Sequence, residues 1–255
     1  MSPSVFISHG SPMLALEPGE SGPALQTLAD TLPRPRAIVV MSAHWESHGI
    51  RIMSSPSPAT WHDFGGFPPA LYALQYPASG EPTLAAIIQT MLRADGLDAA
   101  LDARRPLDHG AWVPLSLMYP NADIPTIEIS VPSQEGPALA MRIGAALSAL
   151  RKDRVLLIGS GSITHNLGEL DWRGSGEPAA QWAVAFRDWI TDHLETGNRE
   201  ALLDYRQQAP YAVRNHPSDE HLLPLYFAMG AGGQFELVHK GFTLGSLGMD
   251  IYRFN

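Results

Sequence analysis

The chain contains no cysteine, which excludes disulfide bonds and any thiolate metal site. It also lacks a block of basic residues. Lysine and arginine number 17 against 26 acidic residues, and the net charge of −9 leads us to expect no nucleic-acid partner. No uninterrupted apolar run could span a bilayer, and the N-terminal MSPSVFISHG has no basic leader. These absences predict a cytoplasmic protein with no signal peptide and no membrane contact.

What the chain has is an alternation of short apolar runs and longer amphipathic stretches, which is typical of an α/β protein. The pattern predicts buried strands at 4–8, 36–43, 126–131 and 154–160, helices at 83–96, 136–153 and 177–198, and a closing pair of strands within 235–254. No repeat, low-complexity linker or sharp shift in composition divides the chain. We therefore expect residues 1–255 to form one domain, a sandwich in which helices flank a central, largely parallel or mixed sheet. No coiled-coil pattern specifies an oligomeric state, although an oligomer is compatible with the sequence.

Three histidines follow predicted strands directly. His9 ends VFISHGSP, His44 ends AIVVMSAHWE, and His165 lies in the loop after VLLIGSGS. Ligands bind outside the carboxyl ends of the strands in open α/β sheets. We therefore expect these side chains to meet at one edge of the sheet. His221, in NHPSDEHLLPL, could reach the same edge from the start of a helix.

His9, His44 and His221 could together bind one divalent metal ion, because neutral imidazole is the commonest metal ligand and three protein ligands leave positions open for substrate. The alternative is that each is a hydrogen-bonded loop or core histidine. No HExxH pair is present, so spacing alone is a weak metal signal. If residues 215–230 form one helix, His216 and His221 point roughly 140° apart, and at most one of them faces a shared site.

Three further stretches carry candidate residues. In LDHGAWVPL, Asp108 could orient His109 through a ring N–H, or it could serve only at a loop-to-helix junction. The stretch TWHDFGGFPPALY around His62 predicts a shaped loop, either a lid over an aromatic ligand or a packed surface loop. GSGSIT lacks the third glycine of a dinucleotide-binding loop. Its glycines are expected to let the backbone approach a small ligand, or to let the turn carry His165 into place.

Taken together, these stretches resemble the LigB-type extradiol ring-cleavage dioxygenases, in particular the 4,5-DOPA dioxygenase extradiol branch. The matching stretches are FISHGSPM, SAHWE, HDFGGFP, DHGAWVPL, GSGSITHNL and HPSDEHLLPL. They fall in the order of the family and cover nearly the whole chain. Any one of them is a weak signal, whereas the set is specific.

The resemblance implies an α/β fold with one mononuclear non-haem metal centre bound by His9, His44 and His221. It implies that His165 is the second-sphere acid/base and that His109 lies near the substrate. Many extradiol enzymes outside this branch use two histidines and a carboxylate, so Glu220 is the alternative to its neighbour His221.

The implied reaction inserts both atoms of O2 into a catechol-type ring and opens it beside the hydroxyl groups. Fe(II) is expected for activity, and Zn(II) would also fit as the ion found bound. The stretch WHDFGGFP, which contains His62, and Trp112 could sandwich the aromatic ring, while His216 would shape the site or contact the substrate. Two other functions stay open at this point: a zinc-dependent hydrolase using a metal-bound water, and a non-catalytic binder of aromatic molecules.

Overall fold

A computed structural model describes residues 1–172 and 178–255 of the chain. Its strands are β1 (Ser4–Ser8), β2 (Ala37–Glu46), β3 (Ile50–Met53), β4 (Ala99–Asp102), β5 (Thr126–Val131), β6 (Val155–Gly161), β7 (Phe235–His239), β8 (Phe242–Thr243), β9 (Leu247–Gly248) and β10 (Ile251–Phe254). Its helices are α1 (Ser21–Thr31), α2 (Pro69–Tyr72), α3 (Pro82–Ala94), α4 (His109–Met118), α5 (Gly136–Leu147), α6 (Gln181–Glu195), α7 (Arg199–Leu203), α8 (Tyr205–Gln208), α9 (Ala212–Asn215) and α10 (Leu223–Ala231). None of these helices is long and apolar enough to cross a bilayer.

Eight strands form one mixed sheet in the order β4-β3-β5-β2-β6-β1-β10-β7. The four central strands, β5, β2, β6 and β1, run parallel to one another. β3 pairs antiparallel with β5 at one side, and β10 pairs antiparallel with both β1 and β7 at the other. The predicted α/β class with a central mixed sheet flanked by helices is confirmed. The four buried strands that the apolar runs predicted are the parallel centre of this sheet.

Both faces of the sheet are covered, because alternate residues of each central strand enter different cores. In β2, Val39 and Met41 pack into the core beneath α3, α5, α6 and α10, whereas Ile38 and Val40 pack into the core beneath α1 and α4. Side chains on a strand alternate between faces, so a strand covered on both sides must be apolar throughout. That explains why β2 appears in the sequence as one continuous apolar run.

The predicted helices are present with shorter bounds. α3 stops at Ala94, and Gly96 follows in the left-handed conformation with φ of 71°. α5 ends at Leu147 and continues only as a short 3-10 turn. α6 begins at Gln181, whereas Glu177, where the prediction began, lies outside the described residues.

The predicted closing strands of the tail are β7 and β10, which pair antiparallel. Between them lies a small hairpin of β8 and β9. Its turn carries Gly245 with φ of 76°, a conformation that favours glycine.

Residues 215–230 do not form one helix, so the angular argument for His216 and His221 was wrong. α9 ends before His216, and α10 begins only at Leu223. Pro224 explains the late start, because a proline is tolerated in the first turn of a helix but breaks a helix when it lies further inside. The two histidines are therefore separated by a non-helical turn and are placed independently.

Two glycines of β6 allow the start of α10 to lie directly against the sheet. A Cβ atom on Gly159 would lie 1.9 Å from the carbonyl oxygen of Pro224, and one on Gly161 would lie 2.1 Å from that of His221. These glycines therefore leave room for the backbone that carries His221 and begins α10. Their role is not limited to admitting a ligand or placing the His165 turn. In GSGSIT, the glycines are required by packing between protein segments.

We predict that Gly159→Ala destabilises the protein because the new methyl group collides with backbone, which cannot rotate away. The free energy of unfolding should fall by about 1–3 kcal/mol, the usual cost of overpacking a core. Urea denaturation followed by circular dichroism measures the change. Gly65→Ala is the matched control, since a Cβ there meets nothing within 4 Å, and it should stay within about 0.5 kcal/mol. Equal stability of the two variants would contradict the close approach.

Candidate active site

The carboxyl ends of three neighbouring strands bring the predicted histidines together. β6 lies between β1 and β2 in the sheet. His9 follows β1, His44 lies near the end of β2, and His165 is in the loop after β6. His221 arrives from the turn before α10, where its backbone carbonyl accepts a 2.8 Å hydrogen bond from the amide of Ser162. The expectation that these residues meet at one edge of the sheet agrees with their placement.

His9, His44 and His221 present ring nitrogens that all lie within 4.8 Å of one another, the distance range of ligands around one metal ion. The Nε2 atoms of His9 and His44 are 2.9 Å apart. Nε2 of His221 is buried and has no hydrogen-bond partner in the described part of the chain. An orphaned buried nitrogen beside two converging ones is the pattern that a bound cation would complete.

The hydrogen bonds behind these rings fix where their protons lie. Ser160 donates its hydroxyl proton to the carbonyl of Gly110, so it must accept the 3.0 Å hydrogen bond from Nδ1 of His9. A carboxylate can only accept, so Nδ1 of His221 donates to Glu220 Oε1 at 2.8 Å. In both rings the proton sits on Nδ1 and the lone pair of Nε2 faces the shared centre. A cation at that centre would satisfy both lone pairs.

Burial keeps these imidazoles neutral. Burial, followed by the charges of the neighbouring histidines, lowers the pKa of His9 and that of His221 well below the usual value. Burial also lowers the pKa of His44 to about 3. A metal ion requires the neutral imidazole, so no proton has to be removed before binding near neutral pH. Three neutral nitrogen donors suit Fe(II) and Zn(II), which imidazole binds well.

A cavity of about 300 Å³ opens above the three rings. Its other walls are His109, His165, Phe64, Gly65, Phe67, Leu167, Leu170, Trp172, Leu247 and the segment from Gly10 to Pro12. The cavity thus combines a floor of nitrogen donors, two further histidines and largely apolar walls. This combination suits a small aromatic ligand carrying polar groups at one end.

His165 is stacked on His221, with ring centroids 3.4 Å apart and planes inclined by only 8°. Its backbone amide donates to the carbonyl of Asn215 at 3.0 Å, which ties its loop to the turn that carries His221. Burial lowers the pKa of His165 to about 4, although Glu220 acts to raise it. The ring is therefore neutral at neutral pH and can accept a proton within the cavity.

Asp63, and not Asp108, orients His109. One oxygen of Asp63 accepts from Nδ1 of His109 at 3.0 Å and from its backbone amide at 2.9 Å. Burial acts to raise the pKa of Asp63, but the hydrogen bonds and charge of His109 outweigh it and lower that pKa. Asp108 instead caps α4 by accepting from the amide of Ala111. Of the two roles considered for Asp108, the helix junction is the observed one.

Asp108 belongs to a buried charged network beneath His44. Arg105 is paired with both Asp108 and Glu128, and the amide of Asp108 donates to Glu128 at 2.8 Å. Ser42 also donates to Asp108, at 2.6 Å. Burial raises the pKa of Glu128, and the adjacent charge of Asp108 raises it further. Because breaking such a buried pair typically costs about 3–5 kcal/mol, the network holds the end of β2 and the start of α4 in a fixed relation.

Comparison with known proteins agrees with this geometry. Residues 3–255 match the family described as the catalytic LigB subunit of aromatic ring-opening dioxygenase. The chain belongs to the LigB family. It is an oxidoreductase of the dioxygenase class, and the hydrolase alternative is not favoured.

Relatives and a solved structure align over nearly the full length. The chain is 40% identical to 4,5-DOPA dioxygenase extradiol of Beta vulgaris, over 98% of this chain and 95% of that protein. It is 38% identical to the protein of the same name from Escherichia coli, over 97% and 92% of the two chains. A crystal structure of an uncharacterized Escherichia coli protein superposes with a TM-score of 0.85 at 31% identity, covering 100% of both chains.

Three residues predicted to contact substrate lie behind the cavity wall of this LigB-family protein. Trp112 is 1% exposed and donates from its indole to the carbonyl of Trp61 at 2.9 Å. His62 is hydrogen-bonded to the carbonyl of Leu74 at 3.0 Å and packs edge-on against Phe64. His216 is fully buried and bonded to the carbonyl of Ile163 at 3.0 Å, beneath the loop of His165. Their geometry favours support of the site over direct contact.

The residues that do complete the cavity include several that the sequence reading did not single out. Phe64 lies next to His109, with ring centroids 5.5 Å apart, and lines the cavity, whereas Trp112 does not. Asp63 and Phe64 belong to the stretch HDFGGFP, which the sequence analysis noted. In an irregular loop, however, no periodicity determines which way each side chain points. Nothing in the sequence pointed to Ser160, because a serine within an apolar strand does not reveal its long-range hydrogen-bond partner. Glu220, the alternative ligand, contacts Nδ1 of His221, which favours an orienting role.

We predict that His9→Gln and His44→Gln each abolish stoichiometric metal binding, because two remaining imidazoles and one amide are a poor donor set. Metal content after loading with Fe²⁺ or Zn²⁺ should fall from about one ion per chain to near zero, measured by elemental analysis. His48→Gln is the matched control, since His48 is exposed and apart from the cavity. Circular dichroism verifies folding, and full metal content in the first two variants would exclude this ligand set.

Proposed function

We propose that this protein opens the ring of a catechol by inserting both atoms of O2 beside the hydroxyl groups. One observation carries the proposal: ring nitrogens of three imidazoles converge at the floor of a cavity that two further histidines line. The family supports ring opening, and the relatives named 4,5-DOPA dioxygenase extradiol support a catechol as the substrate class. The product retains every atom of the catechol and of O2 and is a muconic semialdehyde.

His9, His44 and His221 would hold the metal, with Fe(II) as the ion of activity. When bound, iron would supply the redox chemistry by which triplet O2 reacts with a singlet aromatic ring. Three protein ligands would leave coordination positions open for the substrate and for O2. Zn(II) fits the same donors and binds them more tightly in the general order of divalent metals, so it would occupy the site without supporting turnover.

His165 would act as the proton acceptor and donor. Its neutral ring lies against His221 and lines the cavity, so it is placed to take the proton of a catechol hydroxyl. An anionic catechol oxygen beside the ring would raise the pKa of His165 and favour the charged form. The same ring can then return the proton to an oxygen of the opening product.

His109 would position the substrate from the opposite wall. Asp63 holds the proton on Nδ1, which leaves Nε2 as the nitrogen free to accept a hydrogen bond from a hydroxyl group. Phe64 and Leu247 line the cavity with apolar surface, and this excludes water from the reacting oxygens. The chain's own residues thus bind and orient the ring, move one proton and keep the site dry.

The direct test is anaerobic loading with Fe²⁺ or Zn²⁺, followed by addition of air and a panel of catechols. We expect O2 uptake with a yellow semialdehyde absorbance in the iron-loaded protein and neither signal in the zinc-loaded protein. A zinc hydrolase would work with Zn²⁺ and without oxygen, and a non-catalytic binder would bind catechols without O2 uptake. Absence of uptake with every catechol in the iron-loaded protein would overturn the proposal.

We predict that His165→Gln slows ring opening without loss of metal. Removing a general acid–base group usually lowers the rate by about 10²–10⁴-fold, and the metal ligands are untouched. The measurements are kcat from O2 uptake and metal content by elemental analysis, with His48→Gln as the control. A rate within about twofold of the wild type would assign proton transfer to another group.

A further inference from the structure

A second cavity of about 400 Å³ adjoins the cavity lined by the histidines. The two share Ser11, Phe67 and Trp172 as wall residues. We call the second one the tail cavity. A substituent on the substrate ring that points toward these shared residues would reach the second cavity. The larger volume there can accommodate such a substituent.

The inner walls of the tail cavity are apolar. Met13 and Leu14 line it from the turn after β1, and Phe242 and Met249 line it from the C-terminal hairpin region. Burial of apolar surface against such walls contributes roughly 25 cal/mol per Å², which favours the methylene or aromatic part of a substituent. A wall of this kind gives affinity but does not choose between charged end groups.

The charge at the rim of the tail cavity is negative. Glu17 and Glu20 line it, whereas no lysine or arginine among the described residues does. Neither glutamate side chain has an ion-pair partner in residues 1–172 or 178–255. Burial lowers the pKa of His239, which also lines the cavity, against the opposing influence of Glu20. His239 is therefore neutral near pH 7, and no cationic side chain among the described lining residues offsets the two glutamates.

We propose that the tail cavity binds the ring substituent of the catechol substrate, and that Glu17 and Glu20 select a substituent ending in a cationic amine over one ending in a carboxylate. This inference rests on the proposed function, because it assumes that the ring of a catechol occupies the adjoining cavity. It goes beyond ring opening by defining the substrate class: catechols with a flexible, basic side chain.

The size of the preference follows from the exposure of the two glutamates. Both are solvent-exposed, so each contributes about two- to fivefold in affinity, as exposed ion pairs do. Attraction of an amine and repulsion of a carboxylate act together, and we expect a preference of about tenfold. The preference should shrink as salt is raised from low to physiological ionic strength and above, because the screening length falls to about 8 Å at 0.15 M.

The experiment compares three substrates on the iron-loaded protein: catechol, catechol with an aminoethyl group and catechol with a carboxyethyl group. The kcat/KM of each substituted compound is divided by that of catechol, and anaerobic calorimetry gives the matching dissociation constants. The wild type should favour the amine about tenfold. Glu17→Gln/Glu20→Gln should bring the ratio close to one. Glu195→Gln, on the exposed end of α6 and outside both cavities, should leave it unchanged.

A second variant tests where the substituent binds by filling the tail cavity without changing its charge. Thr243 is exposed and lines the tail cavity, so Thr243→Trp fills space there without disturbing the core. The kcat/KM values of both substituted catechols, relative to catechol, should then fall. Unchanged relative values would show that the substituent leaves the ring cavity by another route and would overturn the assignment.

The outcomes separate the two proposals. Turnover of catechols with equal kcat/KM for the amine and the acid, or with a preference that the double variant retains, overturns the tail cavity and leaves ring opening intact. Absence of turnover with all three compounds overturns the proposed function. In that case the anaerobic dissociation constants still decide whether the amine is preferred and whether Glu17 and Glu20 cause it.

Discussion

The site depends on one constraint: at least two of the clustered imidazoles, those of His9 and His221, carry their protons on the nitrogen that points away from their common centre. Ser160 and Glu220 accept those protons from the Nδ1 atoms of His9 and His221. Without such partners, each ring could carry its proton on either nitrogen or rotate, and the buried lone pairs would not converge. Burial adds to the effect because it disfavours the charged form of every ring in the cluster. The cluster is thus held ready for a cation before any cation arrives.

The fold holds the histidine-bearing segments in place from both faces of the sheet. On one side, Gly159 and Gly161 leave space for the backbone of the turn that carries His221. On the other side, the buried Arg105 network holds the end of β2, and with it His44, against the start of α4. Gly110 contributes here as well, since a Cβ on it would lie 2.9 Å from the ring of His44. Ligands from opposite faces therefore meet where three parallel strands end.

The clustered histidines and the tail cavity belong to different parts of the chain. The histidines come from strand ends and from loops hydrogen-bonded to them. The tail cavity is lined instead mainly by the turn after β1 and by the C-terminal hairpin region, where largely apolar side chains lie beside the exposed Glu17 and Glu20. A scaffold of this kind can keep the ring-opening groups unchanged while surface segments determine which substituted ring is accepted. The shared wall at Ser11, Phe67 and Trp172 is where the two meet.

The α/β class, the four central strands and the histidines at their ends could be predicted from the residues alone, because apolar runs have a recognisable period and parallel strands end at one edge. A predicted helix start could also bring His221 to that edge. Long-range packing is what brings Asp63 and not Asp108 to His109, places Phe64 and not Trp112 at the cavity, and sets the glycines of β6 against the start of α10. Each of these is a contact between segments distant in the chain. Irregular loops have no periodicity that fixes the direction of a side chain, so packing between distant segments determines which side chains meet.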